Sequence, residues 1–69
     1  MDSLKLKDEF IKLGQAIKAA GYVNSGVEAK LVILDGLVKV NGEVVVQRGK
    51  KLYEHDVVTF ENHQLKIEK

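Results

Sequence analysis

Ser25-Gly-Val-Glu-Ala-Lys-Leu-Val-Ile-Leu-Asp-Gly-Leu-Val-Lys-Val-Asn-Gly42 is the stretch whose reading decides the fold. Ser25 and Glu28 have the S-x-x-E spacing of a capping box, in which each side chain satisfies a free N–H at a helix start. The spacing predicts a helix over about Ser25 to Asp35, ended by Gly36 in the left-handed conformation. Asn41-Gly42 lies between the valine-rich runs Leu37 to Val40 and Glu43 to Gln47. That dipeptide favours a type I′ hairpin turn, which needs positive φ at both central residues. The helix is apolar on two sides, with Ala29 and Ile33 on one and Val27, Leu31 and Leu34 on another. Such a short helix is expected to be sandwiched between another helix and a sheet.

Upstream, Ser3 to Lys7 alternates polar and apolar residues and suits a short edge strand. Asp8-Glu9 precedes a first helix of about two turns, with Leu13, Ala16, Ile17 and Ala20 as its narrow apolar stripe and Gly21 as its stop. Gly14 costs about 1 kcal/mol in a helix interior, so it belongs in the first turn or at a close approach. Downstream, Gln47-Arg-Gly-Lys-Lys51 is a basic loop, and Glu54-His55-Asp56 is a turn. Val57 to Glu61 and Gln64 to Glu68 alternate as strands around a second turn at Asn62-His63. The fold class is α+β: a small antiparallel sheet of four to five short strands with a helix pair on one side. Residues 1–69 form a single domain.

Composition narrows the functions. The chain has 69 residues, no cysteine and no proline, with 30% charged and 45% apolar residues. A disulfide framework and a thiolate metal site are excluded, and disorder is disfavoured. No apolar run suits a membrane span and the acidic N-terminus does not suit a signal peptide, so a cytoplasmic location is expected. The net charge of +1 hides a segregation. From Lys12 to Lys51, seven basic residues face three acidic ones, a net of +4, while the flanks carry −3. Segregation of this kind points to a polyanion-facing side.

No catalytic constellation is visible. His55 and His63 fall in predicted turns without partners at metal-ligand spacing, and Ser25 is occupied as a helix cap. Neither G-x-x-x-x-G-K-[ST] nor G-x-G-x-x-G is present. The expectation is therefore no enzyme, no cofactor and no metal. Two anion-binding features stand out instead. One is the start of the second helix, where Gly26 and Val27 carry free N–H groups and Lys30 lies one turn along. The other is Arg48-Gly49-Lys50-Lys51, three cations in four residues, with Lys18 on the first helix able to extend either patch. Phe10 and Phe60 read as core, and Tyr22 and Tyr53 as partly buried, which leaves little for base stacking.

Leu13-Gly-Gln-Ala-Ile-Lys-Ala-Ala-Gly21, Ser25-x-x-x-Ala29-Lys30-x-x-Ile33-x-x-Gly36-x-Val38-x-Val40-Asn41-Gly42, Arg48-Gly-Lys-Lys-Leu52 and Asp56-Val-Val58 together resemble the S-four RNA-binding domain, or αL motif. The resemblance covers a motif core of residues 13–58 and is closest to the small stand-alone bacterial members. It implies that the helix pair and the loop after the hairpin grip structured RNA, ribosomal or tRNA-like, and that ribosomal proteins are further partners. The positions that match are Lys18, Ser25, Gly26, Lys30, Arg48, Lys50 and Lys51. Two departures stand out: Gly26 replaces the usual arginine after Ser25, and His55 replaces the usual glycine before Asp56. Histidine tolerates positive φ better than most residues, so the turn is expected to survive. The functional expectation is a monomeric, non-enzymatic RNA-binding protein with no membrane role. The alternative is a protein–protein adaptor associated with the ribosome or an RNA-modifying enzyme.

Overall fold

A computed structural model describes residues 1–69. In chain order its elements are β1 (Asp2–Lys5), β2 (Ile11–Lys12), α1 (Leu13–Ala19), α2 (Gly26–Leu34), β3 (Val38–Val40), β4 (Glu43–Val44), β5 (Lys51–Leu52), β6 (Val57–Phe60) and β7 (His63–Glu68). A five-stranded sheet has the order β1-β7-β6-β3-β4, and β2 pairs with β5 in a separate two-stranded ribbon. The main sheet is antiparallel except at its edge, where β1 runs parallel to β7. A first strand joined to a last strand needs no short turn between them, so the parallel arrangement is open to it.

One apolar cluster joins the layers. Leu13, Ala16 and Ile17 of α1 and Ala29 and Ile33 of α2 are buried with Val38, Val40, Leu52, Val58, Phe60, Leu65 and Ile67. The strand contributions follow from period-two alternation: Val40 lies opposite Val58 and Val58 opposite Leu65, so all three share the core face. That register also relocates the second turn. Phe60 must lie opposite His63, which leaves Glu61 and Asn62 at the tip, with Glu61 at φ 54°. His63 therefore begins β7 and is not a turn residue.

The expected turn chemistry is present at the hairpin. Gly36, Asn41 and Gly42 have φ of 76°, 52° and 85°, and His55 adopts φ 79°. Asn41 does more than turn the chain. Its Nδ2 donates to Asp56 Oδ1 at 3.0 Å, and its Oδ1 accepts from the Val57 amide at 2.9 Å. Asp56 Oδ2 accepts from the Tyr53 amide at 2.8 Å. The Asn-Gly turn and the His55-Asp56 turn are thus one hydrogen-bonded unit. The pairing β4 is shorter than the sequence suggests, ending at Val44.

Three other expectations are corrected. Ser25 Oγ accepts from the Glu28 amide at 3.1 Å, but Glu28 Oε1 accepts from Asn24, one residue before the cap, at 2.7 Å. Ser25 is extended, with ψ 164°, so the chain enters the helix with the Asn24 amide in reach of Glu28. Tyr53 is exposed, because the buried member of β5 is its neighbour Leu52. Most consequentially, α2 is not sandwiched. Ala29 and Ile33 face the core, while Val27, Leu31 and Leu34 are 70, 56 and 56% exposed. With α1 and the sheet both on the inner side, a chain of this length has no further element to cover the outer one.

Tyr22 ties the start of the chain to this frame. Its hydroxyl donates to Asp2 Oδ2 at 2.7 Å, and its ring stacks on His63 with centroids 4.8 Å apart. Partial burial, then the hydrogen bond to Asp2 and the nearby carboxylate charge, push its pKa up to about 12. A raised pKa means that the neutral phenol is favoured in the fold. Its contribution is complete below pH 10 and is lost as the pH rises towards 12. Absorbance at the phenolate band is expected to show one tyrosine titrating near 12, and Tyr22→Phe should remove that step. Asn41→Ala removes two hydrogen bonds and the tolerance for left-handed φ, and should lower unfolding free energy in urea by about 2 kcal/mol.

Candidate nucleic-acid interface

The two helices treat their free N-terminal amides differently, and the difference positions the basic loop. The first two amides of α1 point into the chain. Leu13 N–H donates to the carbonyl of Lys50 at 2.8 Å, and Gly14 N–H to the carbonyl of Arg48 at 3.0 Å. A tight turn, Lys50 N–H to Gln47 carbonyl at 3.2 Å, holds the segment between them. The loop from Gln47 to Lys50 is therefore anchored by its backbone, which leaves its side chains free.

Gly14 lies where this approach is closest. A Cβ at that position would stand 3.4 Å from Arg48 Cβ and 3.6 Å from the Arg48 carbonyl oxygen. It would also stand 4.0 Å from Ala29 Cβ, so Gly14 is where α1, α2 and the loop converge. The small residues at 14 and 29 explain the close packing of the helix pair in the same terms. Arg48 is thereby brought against the helix pair. Lys18, one turn after Gly14 in α1, is exposed, as is Lys30, next to Ala29 in α2.

The amides of α2 face outward. Ser25 caps Glu28 N–H, and the Ala29 amide reaches the Ser25 carbonyl at 3.0 Å. Gly26 and Val27 N–H have no acceptor within the chain. Nothing lies within 4 Å of the Gly26 Cα substituent position, so this helix start is open to an approaching ligand. Its dipole adds a partial positive charge there.

Lys50 and Lys51 follow Arg48 along the loop and into β5. With Asn41, Glu43, Tyr53 and Asp56 they line an open cleft of about 350 Å³. Lys51 is not entirely free: its Nζ sits 4.8 Å from the centroid of Phe10, a cation–π contact that fixes its direction. Phe10 is half-buried beneath it and 6.1 Å from the Tyr53 ring. The seven sequence-derived positions thus form two groups. Lys18, Ser25, Gly26, Lys30 and Arg48 belong to the helix pair and its docked loop, and Lys50 and Lys51 to the cleft. Sequence reasoning missed Tyr53 and Asn41 at that cleft. The exposure of Tyr53 was signalled only by its place next to Leu52 in a two-residue strand.

The charges are unspent. The one ion pair in the chain joins His55 and Glu54 at 3.8 Å, so none of the eleven lysines and arginines has a carboxylate within 4.0 Å. The sequence segregation is only partly kept in space, since Glu43 and Asp56 line the same cleft as Lys50 and Lys51. The acidic flanks supply β1, β6, β7 and their turns, while the basic segment supplies the helices, β3 and the docked loop. No cluster of histidine and acidic residues suits a metal ion. No helix is long and apolar enough to cross a membrane.

Known proteins share this sequence pattern and fold. The chain is 41% identical over 58 residues to RlbA of Bacillus subtilis, a protein provisionally named for ribosome maturation, covering 84% of this chain and 82% of that one. It is 31% identical over 61 residues to YbcJ of Escherichia coli, provisionally named as RNA-binding, covering 88 and 87%. The solution structure of YbcJ, described as having an αL motif involved in RNA binding, superposes with a TM-score of 0.77 at 30% identity, over all of this chain and 89% of that one. The sequence model of the S4 domain matches residues 4–68. Nearly the whole chain, from β1 to the end of β7, therefore belongs to the S4 domain family.

Proposed function

We propose that this chain is a non-enzymatic RNA-binding protein that docks on structured RNA, ribosomal or tRNA-like, through the helix pair and the loop after the Asn41-Gly42 hairpin. The observation that carries this reading is the loop anchored on α1 by the Arg48 and Lys50 carbonyls, with its cations unpaired. A surface prepared in this way binds phosphates at little cost in backbone ordering. Next to it, the open amides of Gly26 and Val27 supply directional donors for a phosphate oxygen. Arg48 is suited to the role of the arginine usual at position 26, because it is held against Gly14 beside the second helix.

The mode of recognition follows from what the surface offers. Double-stranded RNA presents phosphates and 2′-hydroxyls across a wide, shallow minor groove, while its major-groove base edges lie in a deep, narrow groove that side chains cannot read. Separate lysines and one arginine on a rigid frame match that shape and read little sequence. The relatives named for RNA binding and ribosome maturation support a ribosomal RNA partner. The adaptor reading draws on a different observation, the outward aliphatic face of α2.

Salt-dependent binding separates the two. Alanine in place of Lys30, Arg48, Lys50 or Lys51 should each weaken binding to a folded ribosomal RNA fragment and flatten the slope of log K against log salt by about one unit. Fluorescence anisotropy across a salt series measures it. Binding that is insensitive to salt and to all four substitutions would remove the RNA reading and leave the adaptor.

A further inference from the structure

The outward face of α2 carries the largest unexplained feature of the surface. At 100° per residue, Val27, Leu31 and Leu34 cluster on the side of the helix roughly 150° from the buried Ala29 and Ile33. The strip continues past the helix end through Leu37 and Val44, which are 54 and 52% exposed. Val44 stands just past the helix end, where a Cβ on Gly36 would lie 3.6 Å from Val44 Cγ1. A contiguous apolar patch on a small soluble domain marks an interaction surface.

The charges beside the strip select its occupant. Positions 27, 31 and 34 have the d-a-d spacing of a two-helix seam, which places Glu28 and Asp35 at e positions and Lys30 at a g position. In a parallel pair, each g residue meets the e residue five positions further along the other helix. Lys30 of one copy then faces Asp35 of the other, and symmetry repeats the contact. An antiparallel pair would instead set Lys30 against Lys30 and acid against acid. The strip is thus self-complementary in one orientation only.

We infer that α2 pairs side by side and in parallel with α2 of a second copy, forming a two-fold symmetric dimer through Val27, Leu31 and Leu34. This departs from the monomer expected from the sequence. The two-fold axis runs along the helices, so both Ser25-Gly26 ends emerge on the same side of the dimer. The pairing itself does not depend on RNA. Five aliphatic side chains fall short of the roughly 800 Å² that each partner contributes to a standard interface, so the dimer is weak and concentration-dependent, with a Kd of roughly 100 µM.

Sedimentation of the full chain without RNA tests this, from about 10 µM to about 1 mM, a range that brackets such a constant. The mass should rise with concentration from 7.7 kDa towards twice that value. Leu31→Glu should raise the Kd at least about tenfold with circular dichroism unchanged, because the side chain is half-exposed in the folded protomer. Lys30→Glu and Asp35→Lys should each raise it about twofold or more, and the double exchange should restore the parent value. A mass fixed at 7.7 kDa throughout would overturn the dimer, as would dimerisation indifferent to Leu31→Glu. A double exchange no better than the single ones would overturn the parallel pairing. A monomeric parent whose RNA binding is lost on Leu31→Glu would make the strip an RNA-facing surface instead, which also overturns the inference.

Discussion

Two hydrogen bonds determine where the basic loop stands: Leu13 N–H to the Lys50 carbonyl and Gly14 N–H to the Arg48 carbonyl. They satisfy donors that α1 cannot pair internally, and they turn a glycine-containing basic loop into a fixed part of the surface. A flexible loop would have to be ordered when it bound RNA, at about 1–2 kcal/mol per residue. Here that ordering is complete before the ligand arrives. Gly14 lies at the point of closest approach, where a Cβ would already be in van der Waals contact with Arg48.

The same reasoning explains why the two helix starts differ. In α1 the loop occupies the first amides, and in α2 the Ser25 cap leaves the Gly26 and Val27 amides open. One start builds the surface and the other is part of it. The Asn41–Asp56 unit performs a matching task on the sheet side, holding the cleft wall while Lys50 and Lys51 line its rim. The residues that hold geometry and those that present charge are therefore adjacent but different. Asn41, Asp56 and Gly14 hold geometry, and the exposed cations present charge.

Local chemistry was legible in the sequence because each signal has one cause. Asn41-Gly42, Gly36 and His55 all adopt the positive φ that their residue types announce, and Ser25 caps the helix it precedes. Gly14 falls in the first turn of α1, away from the interior positions where glycine costs about 1 kcal/mol. The cation positions were readable as a charge segregation, but their grouping was not, because it depends on where the loop carbonyls land. The outward face of α2 misled for a physical reason. Leucine and valine at helical spacing read as core, and nothing in a single sequence says that too few elements exist to cover both sides. The second turn shifted to Glu61-Asn62 because strand register, set by Val58 opposite Leu65, outranked the turn preference of Asn62-His63.

The central claim is that the docked loop and the open start of α2 form one RNA-facing surface. Backbone amide NMR during titration with a folded ribosomal RNA fragment tests it most directly. The account predicts the largest shifts at Gly26, Val27 and Arg48 to Lys51, with β1 and β7 nearly unmoved. Shifts concentrated on the β1–β7 edge, with Gly26 and the loop unchanged, would contradict it.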